Sequence, residues 1–136
     1  APTLQVASLV PCVPSQANPD GIASNDGGCG GGAVSPSVLA GIQPGDTLIA
    51  VHDYRLANWY DIGALIETSA GKEIPIVVKR NGKSIELWAP ITTTQEFEPR
   101  AFLGVSPTMA IAHSSVRETG TDMWRMTFQS GAPAAT

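Results

Sequence analysis

His52 and His113 are the only histidines in the 136-residue chain, and Cys12 and Cys29 the only cysteines. Tetrahedral metal sites draw their ligands as closely spaced pairs, and no two of these four residues stand that way. No metal site is therefore expected within the chain, and His52 reads as a turn residue. A serine nucleophile needs a neighbouring base and an orienting group, and no Gly-x-Ser-x-Gly pattern frames any serine. Gly27, Gly28, Gly30, Gly31 and Gly32 form a glycine-rich run. No Lys-Ser or Lys-Thr follows it and no strand leads directly into it, so it is not a phosphate cradle but flexible loop around Cys29. Asp20 with Asp26, and Glu96 with Glu98, come nearest to paired carboxylates, yet they lie in polar loops where solvation accounts for them. No catalytic residue is assigned.

The cysteines carry a different chemistry. The sixteen residues between Cys12 and Cys29 are rich in Gly, Asn, Ser, Pro and Asp and have little capacity to build a core. A disulfide would tie that loop down, stabilising the fold by about 3 kcal/mol in the chain-entropy model, and would place the chain in an oxidising compartment. The alternative is two unrelated thiols.

Eight Lys and Arg against twelve Asp and Glu leave a net charge of -4. Scattered cations in an acidic chain give no electrostatic footprint for nucleic acid or anionic lipid. No apolar run approaches the roughly 20 residues of a membrane-spanning helix, and no signal-peptide pattern opens the sequence.

The elements that would position a binding site follow from periodicity and turn chemistry. Thr3 to Val13 is β-rich and alternates imperfectly, with Pro11 and Pro14 weakening its far end. Asn18 to Gly32 is loop. Ser35 and Pro36 suit a helix N-terminus and Gly41 a left-handed C-terminus, which predicts one turn over Ser37 to Ala40. Pro44, Gly45 and Asp46 form a turn into a buried strand from Thr47 to His52. Asn58 and Asp61 resemble a capping box opening a helix from Trp59 to about Ser69, with Ile62, Leu65 and Ile66 on its core face. Ile76, Val78, Ile85, Leu87 and Ala89 alternate with Val77, Lys79, Ser84, Glu86 and Trp88 about Asn81-Gly82, the signature of a β-hairpin. The fold class expected is α+β, mainly β, as a partly open barrel or sandwich with two helices. Residues 1–95 form the compact domain, with a disulfide-closed insertion at 12–29. Residues 96–136 read as a poorly ordered extension, although Phe102 to Val105 has the composition of a short strand.

This element order resembles a PDZ domain. Gly41, Ile42, Gln43, Pro44, Gly45 and Asp46, followed by Thr47-Leu48-Ile49-Ala50-Val51, are similar to the family's turn signature. Physically, Gly41 and Gly45 permit positive φ, Ile42 plugs the core and Asp46 accepts backbone hydrogen bonds. The insertion before Ser35, with Phe102-Leu103-Gly104-Val105-Ser106-Pro107 further on, resembles the extracytoplasmic PDZ domain of actinobacterial site-2 proteases, which are intramembrane zinc metalloproteases. That family's His-Glu-x-x-His motif is absent from this chain. The resemblance thus implies a non-catalytic, peptide-binding or substrate-gating module on the extracytoplasmic side of a multi-pass bacterial membrane protein, with zinc in the parent's catalytic domain. It implies as partners the flanking membrane domain and peptide segments of membrane-anchored substrates such as anti-sigma factors. The other placements that the fold resemblance allows are a regulatory module of a secreted or periplasmic serine protease and a scaffold or secretion-system component.

A PDZ groove pairs a peptide with an open strand edge and selects side chains along a helix. Carried onto this chain, the edge strand would run from Leu4 to Val10 and include Gln5, Val6, Ala7 and Ser8. Trp59, Gly63, Ile66 and Glu67 would line the helix side. The competing assignment makes Trp59 a core anchor and Gly63 a close-packing residue. The carboxylate-binding loop would fall at Ala1 to Leu4, where the sequence starts. That position disfavours capture of a free C-terminus and favours edge pairing or steric filtering. Met123, Trp124, Met126 and Phe128 would contact a bilayer interface or pack on the sheet.

Overall fold

Hydrophobic alternation builds the centre of the molecule. In the computed structural model, which describes residues 1–110, Ile74, Ile76 and Val78 turn inward from strand β4 (Glu73–Arg80), each no more than 1% exposed. Strand numbering follows chain order: β1 (Pro2–Leu9), β2 (Thr47–Val51), β3 (Tyr54–Arg55), β4, β5 (Lys83–Pro90), β6 (Thr92–Thr93), β7 (Ala101–Phe102) and β8 (Val105–Met109). β4 and β5 pair through eight registered residues, from Glu73↔Pro90 to Arg80↔Lys83. Asn81 and Gly82 close the hairpin at φ 53° and 78°, the left-handed pair that a two-residue turn of this hand requires.

The main sheet runs β5-β4-β2-β1-β8, with β3 paired to β2, while β6 and β7 form a separate two-stranded ladder. Its inner face meets Ile42, Leu56, Ile62, Ile66 and Leu103 in one core. The two helices are short: α1 spans Pro36–Ala40 and α2 spans Asp61–Ile66. The architecture is α+β and mainly β, with open sheets, consistent with a PDZ-like fold.

Several local expectations need adjustment. Ser35 occupies the N-cap of α1 but makes no capping bond; its hydroxyl instead meets that of Ser37 at 3.0 Å, because both serines are buried against the loop before β8. Gly41 ends the helix at φ 88°, as the turn signature requires. The second helix is shorter than the expected span. Asn58 Oδ1 accepts the Tyr60 amide at 3.0 Å and Asp61 Oδ2 accepts the amides of Ala57 and Asn58 at 2.9 and 3.2 Å, so the reciprocal capping works one turn ahead of the regular helix. β1 stops at Leu9 rather than Val13.

The largest difference concerns the C-terminal side. Ending the domain at residue 95 separates β7 and β8 from the core they complete. Leu103 is 3% exposed within that core, and β8 pairs along β1. This pairing is non-local, joining residues about one hundred positions apart, and the local composition of the segment carries no sign of it. Met123, Trp124, Met126 and Phe128, along with His113, lie outside the described residues.

The 12–29 insertion is closed by a disulfide between Cys12 and Cys29, with Cα atoms 5.7 Å apart. Asn18 receives the Ile22 amide at 3.1 Å and donates to the Ile22 carbonyl at 2.8 Å, while Asp26 accepts the Ser24 hydroxyl and the Gly28 amide. The hydroxyl of Ser24 is the chief reason that the Asp26 carboxyl lies below its ordinary pKa.

Candidate functional site

Strand β1 has no open edge. Val6 donates its amide to the Asp46 carbonyl and accepts the Gly45 amide, both at 2.8 Å, on one side. On the other side Ser8 faces Ser106 and Leu9 faces Val105 of β8. The reading of Leu4, Gln5, Val6, Ala7 and Ser8 as a peptide-pairing edge is therefore overturned, since the edge they were to offer is filled by β8. Val6 points into the core, Leu4 packs against it, and the side chains of Gln5, Ala7 and Ser8 are exposed.

Among the described residues the sheet ends in β5 on one side and in β8 on the other, so the open edge beyond β1 belongs to β8. Next to it lies an open cleft of about 800 Å³, with Trp59, Gly63, Ile66 and Glu67 on the helix side and the stretch 100–105 opposite. The four helix-side residues expected from the sequence thus share one cleft, but their partner is the segment leading into β8. Ile66 is a buried member of the core that reaches the cleft floor, Trp59 is half-buried, and Gly63 and Glu67 are exposed. A Cβ added at Gly63 would meet nothing within 4 Å, so Gly63 is not a close-packing glycine.

The loop at Leu103-Gly104 sets the polar character of the cleft. The Leu103 carbonyl accepts the Ser37 amide at 2.8 Å. The Gly104 carbonyl accepts the Ser37 hydroxyl at 2.7 Å and the Val10 amide at 2.9 Å. A trans peptide places its N–H opposite its C=O. With both carbonyls held toward α1 and β1, the amides of Gly104 and Val105 turn to the other side, where the cleft lies. Among the described residues the Gly104 amide has no acceptor. Glycine is required here twice over: φ is +98°, and a Cβ would come within 2.9 Å of Ser35 and Ser37 side-chain atoms.

Arg100 adds a cation to the same wall. Its backbone is clamped to Thr94, which donates its amide to the Arg100 carbonyl at 2.8 Å and accepts the Arg100 amide on Oγ1 at 3.0 Å. Among the described residues its guanidinium has no acidic partner; the single ion pair is Arg80 with Asp46. A cation, two outward amides and an apolar floor can together hold a carboxylate attached to an apolar chain. Sequence reasoning assigned neither Arg100 nor Gly104 to the groove. The available signal was the Leu-Gly-Val triplet before a short apolar run, which only the pairing of β8 with β1 turns into a loop leading onto a sheet edge.

The remaining singled-out residues are structural. Asp46 is 1% exposed and paired with Arg80, whose hydrogen bonds hold its carboxyl below the ordinary range despite burial. Gly45 turns the chain at φ 94° and Ile42 sits in the core. His52 takes φ 55° in the β2–β3 turn and its Nε2 lies 3.1 Å from the Ser69 hydroxyl. Among the described residues, no group of three or more His, Cys, Asp or Glu could hold a metal ion, and no helix is long and apolar enough to cross a membrane.

No protein-family model matches the chain. Curated relatives do. The chain is 36% identical over 64 residues to the zinc metalloprotease Rip1 of Mycobacterium tuberculosis, which takes in 47% of this chain and 16% of that protein. It is 31% identical over 77 residues to the zinc metalloprotease RasP of Shouchella clausii, covering 55% of this chain and 18% of that protein. Over about half its length the chain is thus a distant relative of zinc metalloproteases, and it spans about a sixth of the length of the relatives it matches.

Proposed function

We propose that this chain is a non-catalytic PDZ-type module of a site-2 intramembrane zinc protease, and that its cleft binds the free C-terminal end of an extended peptide. The observation that carries this reading is that the outward Gly104 and Val105 amides stand in the wall of a cleft that Arg100 also lines, beside the edge of β8 that is open among the described residues. Unpaired donors in a partly desolvated cleft favour an anion, and the apolar floor under Trp59 and Ile66 favours an apolar terminal side chain. The partial similarity to zinc metalloproteases supports the assignment of the parent, in which zinc would be bound by residues outside this chain. The disulfide supports an oxidising, extracytoplasmic location.

In this role the module inspects membrane-anchored substrates, such as anti-sigma factors, after a first cut in their outer domain. Such a cut creates a new carboxylate terminus, the chemical feature that this cleft is built to read. The loop expected at Ala1 to Leu4 is thus replaced in this reading by Leu103-Gly104, and capture of a terminus replaces pairing along β1.

The test is a titration of the chain with apolar-ended peptides as free acids and as C-terminal amides, followed by fluorescence anisotropy. Amidation is expected to weaken binding by at least about tenfold, the loss of one charge-assisted hydrogen bond. Arg100→Gln should weaken the free acid selectively. Equal affinity for acid and amide would refute terminus recognition.

A further inference from the structure

The direction of each backbone group in β8 follows from its bonds to β1. The Gly104 carbonyl accepts the Val10 amide at 2.9 Å, the Thr108 carbonyl accepts the Thr3 hydroxyl at 2.8 Å, and Ala110 exchanges bonds with Ala1 through its amide at 2.8 Å and its carbonyl at 3.0 Å. Gly104, Thr108 and Ala110 therefore face β1. Because a strand alternates, Ser106 does so as well, and the main-chain groups of Val105, Pro107 and Met109 face the free edge. Position 107 is the second of these three outward positions, and proline has no N–H to offer there.

We infer that Pro107 interrupts peptide pairing on β8, so that the cleft reads only about the last three residues of its ligand. This rests on the terminus-binding reading proposed above. With the ligand carboxylate at the Gly104 and Val105 amides, antiparallel pairing sets the last ligand residue opposite Val105, whose carbonyl accepts its amide, and the third residue from the end opposite Pro107, whose carbonyl accepts that residue's amide. The carbonyl of that same third residue then faces the Pro107 ring, where a donor would otherwise stand. Desolvating that carbonyl without a partner is unfavourable, so the ligand leaves the sheet edge at this point. The helix wall ends there too. The six residues of α2 extend about 9 Å, the length of about three residues of extended chain. Two independent features, one on each side of the cleft, thus set the same limit.

The consequence is a module that recognises a cut end with little regard to the sequence upstream, and that does not zip an internal segment along its edge. The experiment compares acetylated alanyl-alanyl-valine with its alanine-extended hexapeptide, both as free acids, by NMR titration of the 136-residue chain. The wild type should bind the two within about twofold of each other. Pro107→Ala should tighten the hexapeptide by about two- to tenfold, the range of one added hydrogen bond. On saturation its new residue-107 amide should become protected from hydrogen exchange. Pro107→Val serves as a second variant with better strand propensity if the alanine protein fails to fold. A wild-type hexapeptide affinity at least about tenfold above that of the tripeptide, or a folded variant with unchanged affinity and an unprotected amide, overturns the inference while leaving terminus binding intact. Absence of binding by either free acid to wild type and variants overturns both.

Discussion

Arg80 grips Asp46 at two points, Nε to Oδ1 at 2.8 Å and Nη2 to Oδ2 at 2.7 Å, and the same Nη2 reaches the Gly41 carbonyl at 2.9 Å. Asp46 also accepts the Gln43 amide at 2.9 Å. One buried carboxylate therefore ties the end of α1, the turn into β2 and the end of β4 together. Its folded pKa is lowered from 3.8, first by the Arg80 hydrogen bonds.

A group of this kind adds stability that is fully present above its unfolded pKa and is lost as pH falls through the lower, folded value. Urea unfolding should thus show this contribution intact at pH 5 to 7 and declining below about pH 4. Asp46→Asn should flatten that part of the acid limb. Asp46→Ala should cost about 2–3 kcal/mol at neutral pH, because it strands the Arg80 and Gln43 donors. An acid limb identical in wild type and Asp46→Asn would show that the pair has no differential stability.

The disulfide gives a second stability prediction. Cys12 is buried beneath an insertion whose seventeen-residue span to Cys29 is rich in glycine. Reduction, or a double Cys12→Ala and Cys29→Ala replacement, should lower stability by about 3 kcal/mol in urea titrations. Gly63 and Gly104 lie outside the loop, so peptide affinity of the folded fraction should stay within about twofold. A large loss of affinity at full folding would instead connect the insertion to the cleft.

The sequence was most legible where the governing interaction was local. Asn81-Gly82 between alternating strands and Gly41 after a short helix each follow from φ requirements at one or two positions. The cysteine pairing follows from a polar, glycine-rich loop with little capacity to build a core of its own. Trp59, Gly63, Ile66 and Glu67 line one cleft, but only Gly63 and Ile66 lie within α2, so helical spacing accounts for just these two. Strand order was not legible. β8 pairs with β1 from about one hundred residues away in sequence, and Pro107, which disfavours a central strand, is accommodated because its missing donor faces the open edge. Arg80 carries no local sign of its partner, since a charge thirty-four residues from Asp46 becomes its neighbour only when β4 lies beside β2.

Gly104 is the position where fold and site depend most on one backbone conformation. Gly104→Ala places a methyl group against Ser35 and Ser37 at φ +98°. We expect a loss of about 2–4 kcal/mol from the combined strain and overlap. The loop carbonyls should leave Ser37 and Val10, and free-acid peptide binding should fall below detection even under conditions where the variant is folded. Unaltered peptide affinity in a folded Gly104→Ala protein would dissociate the loop from the binding site.

Gly63 allows stability and binding to be driven in opposite directions. It lies exposed within α2, where glycine is less favourable than alanine by about 0.5–1 kcal/mol, and a Cβ there meets no atom within 4 Å. Gly63→Ala should therefore raise the melting temperature by a few degrees. The same methyl group projects into the cleft between Ile66 and the 100–105 wall, so free-acid peptides should bind several-fold more weakly. Most substitutions that weaken a ligand by damaging the fold also lower the melting temperature, which makes the opposite signs diagnostic. A stabilised Gly63→Ala protein that binds peptide as the wild type does would place the ligand away from this face of α2.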